Sequence, residues 1–204
     1  MRKPVRRSRK IGLTQGGRVS DGRAREKWSR IFGNDVFQKL SETDLQRWHV
    51  IRENPSREYY HPCSRAEIHG VLKQLPESLT SNVRAIILRR MPKDDAEALI
   101  EARCRWSCIV LNAFPRSNQL WFHGAPPPQL VKHDAPWAGS WIKQSDGRTW
   151  VQHWTRAQAK RYYLYHVLLH ELGHLYDRRH TDLRAREAFA EDFALKWARR
   201  LGAL

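Results

Sequence analysis

Residues 162–176 read YYLYHVLLHELGHLY, and this stretch decides how the rest of the chain is arranged. Leu164, Val167, Leu168, Leu169, Leu172 and Leu175 make it apolar nearly all round, the pattern of a helix buried on every side. Yet it carries His170, Glu171 and His174 in the order His-Glu-x-x-His. Buried without partners, these three polar groups are costly. Residues four apart on a helix stand one above the other on the same face. His170 and His174 therefore offer two imidazole nitrogens to one cation, and Glu171 projects from the neighbouring strip. A Zn²⁺ ion suits this set: two neutral nitrogen ligands, an open position for water, and a carboxylate to take the proton of that water. The plain alternative is a core helix whose histidines are satisfied by hydrogen bonds.

A zinc site needs a third protein ligand, and the downstream sequence holds three candidates. Residues 177–182 are polar and read as a turn. A second helix is expected over residues 183–201, with Phe189, Phe193, Trp197 and Leu201 forming one apolar stripe. Glu187 and Glu191 lie one turn apart on it, beside Ala188, Ala190 and Ala194. Small side chains there let the second helix approach the first closely. The rival is His180, because His170-x3-His174-x5-His180 has the spacing of the metzincin zinc peptidases. Those enzymes carry Gly where this chain has Asp177, and a methionine turn downstream, whereas the methionines here are Met1 and Met91.

HELGHLYD followed by EAFAEDFA resembles the gluzincin branch of the zincin metallopeptidases, in particular compact members similar to anthrax lethal factor-type catalytic domains. The likeness spans residues 163–197 and lies in the motifs. It implies one Zn²⁺ per chain held by His170, His174 and Glu187, with Glu171 as the catalytic base. It also implies that Glu191 supports a ligand from behind and that Asp177 orients a ligating imidazole. One departure is the lack of a tyrosine ahead of the third ligand, where such enzymes stabilise the oxyanion. His180 stands near that place and is the candidate substitute.

Working back from the metal helix, the expected fold class is α+β: a minimal zincin-like domain with a small mixed or antiparallel sheet, a buried His-Glu-x-x-His helix and a following ligand helix, plus N-terminal helices. Residues 83–88 (VRAIIL) read as a strand, and residues 94–103 as a helix. Residues 106–114 and 119–122 look like two strands of a hairpin around Pro115-Arg116-Ser117-Asn118. Pro126-Pro127-Pro128 marks a loop. Residues 141–143 and 149–154 flank Ser145-Asp146-Gly147-Arg148, a second hairpin signal. Three regions are expected: a basic disordered arm (1–20), a helical segment (21–79) and the zincin-like domain (80–204). Ser41-x-x-Asp44 and Ser64-x-x-Glu67 resemble helix-capping patterns within the helical segment.

With 204 residues the chain can build a real core. A formal charge of +16 points to a polyanionic partner, most often nucleic acid, and Arg2, Lys3, Arg6, Arg7, Arg9, Lys10 and Arg18 concentrate it in the N-terminal arm. That arm lacks the apolar stretch of a secretory signal, and no run is long and apolar enough for a membrane span. Cys63, Cys104 and Cys108 show no pairing framework, read as core residues, and fit a reducing cytoplasm. Among nine tryptophans, Trp137, Trp141, Trp150 and Trp154 gather before the metal helix. They read either as a substrate groove or stacking platform, or as cross-strand packing. The expected function is zinc-dependent hydrolysis of peptide bonds in a protein substrate, with nucleic acid as a further partner. The alternative is a basic nucleic-acid-binding protein whose zinc site is structural or regulatory.

Overall fold

The computed structural model describes residues 48–105, 107–137 and 140–204. In chain order the first elements are β1 (His49–Arg52), β2 (Tyr59–Tyr60), α1 (Arg65–Lys73), α2 (Glu77–Thr80), β3 (Ala85–Arg89) and α3 (Lys93–Ala98). Then come β4 (Ala102–Arg105), β5 (Cys108–Asn112), β6 (Phe114–Pro115), β7 (Gln119–His123), α4 (Pro128–Asp134), β8 (Trp141–Lys143) and β9 (Thr149–His153). Last are α5 (Arg156–Tyr162), a π-helical turn (Tyr163–Val167), α6 (Leu168–Tyr176) and α7 (Leu183–Arg200). The fold is α+β.

The main sheet has the order β1-β3-β5-β4. β3 and β5 pair in parallel and are buried almost throughout, as strands covered on both faces must be. β1 joins β3 in parallel, and β4 closes the opposite edge antiparallel to β5. Two smaller sheets stand apart: β2 with β6, and the antiparallel set β7-β9-β8. One apolar core runs from Trp48 and Val50 through Ile86 and Ile109 to Leu168, Leu169, Leu172 and Phe193.

Several sequence expectations hold. Residues 83–88 cover all of β3 but its last residue, β8 and β9 form the second hairpin, and Ser64 and Glu67 complete a reciprocal capping box at the start of α1. Others are corrected. The helix expected over 94–103 stops at Ala98, because Leu99 takes a left-handed conformation (φ 60°). The chain then enters β4, where pairing with β5 overrides the local helical spacing. Residues 106–114 and 119–122 do not form a hairpin: β7 pairs with β9, and β6 turns aside to pair with β2. The segment 21–79 is not purely helical, since its described part contributes β1 and β2. β1 belongs to the same sheet as β3, so the main sheet crosses the boundary expected at 79/80. The basic arm and the Ser41 pattern lie outside the described residues.

Candidate metal centre

The centre is built on a continuous helical rod from Arg156 to Tyr176, comprising α5, the π turn and α6. Its start is fixed by a second capping box, Thr155 with Gln158. Leu168, Leu169 and Leu172 are fully buried and seat α6 against the core. Asp182 caps α7 by accepting from Ala185 N–H at 2.9 Å. The two helices then meet at Gly173: a Cβ there would lie 3.0 Å from Ala190 Cα and 3.2 Å from Phe193 Cβ. This close approach brings the carboxylates of α7 up to the imidazoles of α6.

His170 Nε2 and His174 Nε2 lie 3.1 Å apart. Glu187 completes the triangle, with Oε2 3.4 Å from His170 Nε2 and Oε1 3.5 Å from His174 Nε2. Ligand atoms at about 2.0–2.1 Å from a tetrahedral zinc are about 3.3–3.4 Å from one another. Each imidazole nitrogen therefore lies at close to that spacing from its neighbour and from one oxygen of Glu187, Oε2 for His170 and Oε1 for His174, and the two-nitrogen, one-carboxylate set fits a divalent transition ion. His170 and Glu187 keep partial exposure (side chains 17% and 13%), so the centre is open to water on one side.

Electrostatics follow from the crowding. Burial alone lowers the basicity of His170, but contacts with Glu187 and Glu191 outweigh it and lift the imidazole to about 10. Burial likewise raises Glu187, and contacts with His170 and His174 reverse this, bringing the carboxyl to about 2. Glu171 is buried (2% exposed), and desolvation pushes its carboxyl up, partly offset by the two imidazoles and by the Cys104 thiol. Its Oε2 has no hydrogen-bond partner among the described residues.

Of the sequence-derived site residues, His170, His174 and Glu187 come together, and Glu171 stands beside them. Glu191 lies behind His170, with Oε2 3.6 Å from its Nδ1. His180 does not join the group: it donates from Nδ1 to Asp177 Oδ1 at 3.0 Å and packs on Phe189. Asp177 does not orient His174 either. Its Oδ1 accepts from the Arg179 and His180 backbone N–H groups and so closes the turn between the helices, while His174 Nδ1 is left without a partner among the described residues. The tryptophans serve as packing: Trp154 lies against Phe114 and Tyr162, Trp137 against Tyr162 and His166, and Trp141 against Phe122.

Two features escape the sequence reading. Cys104, on the edge strand β4, is not merely a core residue: its thiol hydrogen-bonds Glu171, and burial followed by that carboxylate raises it well above its ordinary range. His166 and His133 meet Glu191 in a second group of donors beside the first. The signal for His166 was present, since His166, His170 and His174 repeat at four-residue spacing. Nothing in the sequence pointed to His133. No protein-family model matches this chain, and no curated protein or solved structure matches it.

Proposed function

We propose that the chain is a zinc-dependent peptidase acting on a protein substrate. The observation that carries this is the convergence of His170, His174 and Glu187 with the buried Glu171 at their side. His170, His174 and Glu187 would hold one Zn²⁺, which supplies Lewis acidity for a carbonyl oxygen and acidifies a bound water. Glu171 takes the proton from the attacking water at its carboxylate and returns it to the leaving amine. Its desolvated position raises the carboxyl above the ordinary range and makes it a stronger proton acceptor. Glu191 faces His170 Nδ1 at 3.6 Å, an electrostatic contact too long for a hydrogen bond.

Substrate positioning is assigned to β4. This strand is the edge of the main sheet and carries Cys104 against Glu171, so an extended peptide paired to it would pass alongside the catalytic carboxylate. The three cysteines are free, which is consistent with work in the reducing cytoplasm, and no helix among the described residues is long and apolar enough to cross a membrane.

The test is a set of substitutions on the full chain. Glu171→Gln is expected to retain zinc and lose hydrolysis of an unstructured protein substrate. His174→Ala and Glu187→Ala are expected to lose both, and His180→Ala to lose neither. Hydrolysis that survives in Glu171→Gln would overturn the assignment. The +16 charge supports a second reading, a nucleic-acid binder with a zinc centre that does not turn over. Binding to DNA or RNA that weakens steeply with salt, remains intact in Glu171→Gln, and occurs without any hydrolysis would favour that reading.

A further inference from the structure

We propose that His133, His166 and Glu191 form a second site for a divalent transition-metal ion, distinct from the centre at His170, His174 and Glu187. The three residues come from separate elements: α4, the π turn and α7. Their donor atoms nevertheless lie within 4.8 Å of one another. His166 Nε2 is 3.0 Å and His133 Nε2 is 3.2 Å from the same oxygen, Glu191 Oε2.

His133 is oriented from behind by a buried carboxylate. Asp134 is fully buried, and its Oδ2 accepts from Gln152 Nε2 at 3.0 Å, which fixes the carboxylate in place. Its Oδ1 lies 2.7 Å from His133 Nδ1. An ionised carboxylate only accepts, so His133 Nδ1 carries the hydrogen. With the ring neutral, Nε2 is a lone pair facing Glu191 Oε2, and a metal ion held between them balances the two. Against burial, the flanking carboxylates lift the imidazole to about 9 and make a proton the competitor for that position. A carboxylate–imidazole pair with the opposite nitrogen facing other donors is the arrangement that orients histidine on a metal. A shared proton would answer the same need, and a count of bound metal separates the two.

The surroundings favour a structural ion. His166 is stacked on Tyr162 (ring centroids 5.0 Å apart, planes at 12°) and touches Trp137. Few rotamers remain for it, and the site is walled by aromatic rings. An ion here would clip α4, which connects β7 to β8, onto the rod and α7. Because Glu191 Oε2 also faces His170 Nδ1, filling this site would set the carboxylate that backs the first centre. The second site does not depend on the proposed peptidase reaction.

The experiment is zinc content by mass spectrometry, measured on the full chain loaded at neutral pH and desalted. The variants are His133→Gln, His166→Gln and His174→Ala, each checked for folding by circular dichroism. Wild type is expected to hold about two ions, and each variant about one. One ion in wild type, lost in His174→Ala and kept in His133→Gln, would overturn the second site and leave the first standing. One ion lost in His133→Gln and kept in His174→Ala would do the reverse. No ion in any form would overturn both. If the His133 and His166 variants fail to fold, anomalous scattering at the zinc edge from wild-type crystals decides without them: a peak between His133, His166 and Glu191 supports the site, and its absence with a peak at His174 removes it.

Discussion

Replacing Gly173 with alanine tests the closest contact in the centre. On helix propensity alone the change should stabilise α6, by about 1 kcal/mol. The structure predicts the opposite sign. A Cβ at position 173 would meet Ala190 Cα at 3.0 Å and Phe193 Cδ1 at 3.3 Å. Carbon atoms prefer about 3.5–4.0 Å, so α7 must retreat by roughly half an ångström or more. Overpacking of this kind costs about 1–3 kcal/mol, which offsets the propensity gain and leaves a net loss of up to about 2 kcal/mol. For a chain of this size that lowers Tm by roughly 4–8 °C. The retreat also carries Glu187, three residues before Ala190 on the same helix. Metal–ligand lengths tolerate only about 0.2 Å, so zinc affinity should fall by about tenfold to a hundredfold. Thermal melting and competition with a chromophoric chelator read the two effects separately. A Gly173→Ala chain with wild-type affinity and a raised Tm would refute the close packing on which the centre depends.

Removal of metal should expose a pH window. In the metal-free chain His170 is raised to about 10, so its stabilising contribution is complete below its unfolded value of about 6.5 and is lost as pH rises through 10. Glu187 is depressed to about 2, so its contribution is complete above about 4.5 and is lost as pH falls towards 2. Tm in chelator should therefore peak between about pH 4.5 and 6.5, and a flat profile across that range and up to pH 10 would contradict the pairing. Asp95→Ala removes a buried carboxylate that Arg103 contacts at 2.8 Å and Arg89 at 3.5 Å. Removing the carboxylate these guanidinium groups share should cost about 3–5 kcal/mol in denaturant unfolding; a loss below 1 kcal/mol would mean the cluster is already solvated. Cys104→Ala deletes a donor that lowers the Glu171 carboxyl, so the acid limb of kcat/KM against pH should move upward. An unmoved limb would detach Cys104 from Glu171.

How far the sequence discloses the site depends on how local each relation is. His170, Glu171 and His174 sit on one helix, so their geometry follows from the helical repeat and needs no tertiary knowledge. A carboxylate from α7 was reachable because α7 follows α6 after a short turn and its alanines permit close packing, while the choice of Glu187 over Glu191 came from the gluzincin resemblance. Asp177 was misjudged as an orienting acid because its side chain satisfies the turn and the His180 ring, a competition that spacing does not reveal. His133 was beyond reach for another reason. It enters from α4, and only the antiparallel set β7-β9-β8 decides where α4 lies. The sheet was legible at β3 and β5, whose runs of apolar residues announce burial. It was missed at β4, where Ala-Arg-Cys-Arg alternates apolar and charged over only four residues, too short a run to outweigh the helical spacing of residues 94–103, and pairing with β5 makes the strand.

The composition of β4 has a consequence for the behaviour of the molecule in concentrated solution. An edge strand is a template on which another copy of the same chain can pair, and proteins guard against this with charge. β4 is only four residues long and two of them, Arg103 and Arg105, are cationic. Arg103 is held by Asp95 at 2.8 Å, so repulsion between two copies meeting edge to edge rests mainly on the +16 that each chain carries. The edge is therefore protected from self-association at low ionic strength and loses that protection as salt screens the charge. The same charge discriminates by sign, since an acidic segment would gain from the field that drives a second copy away.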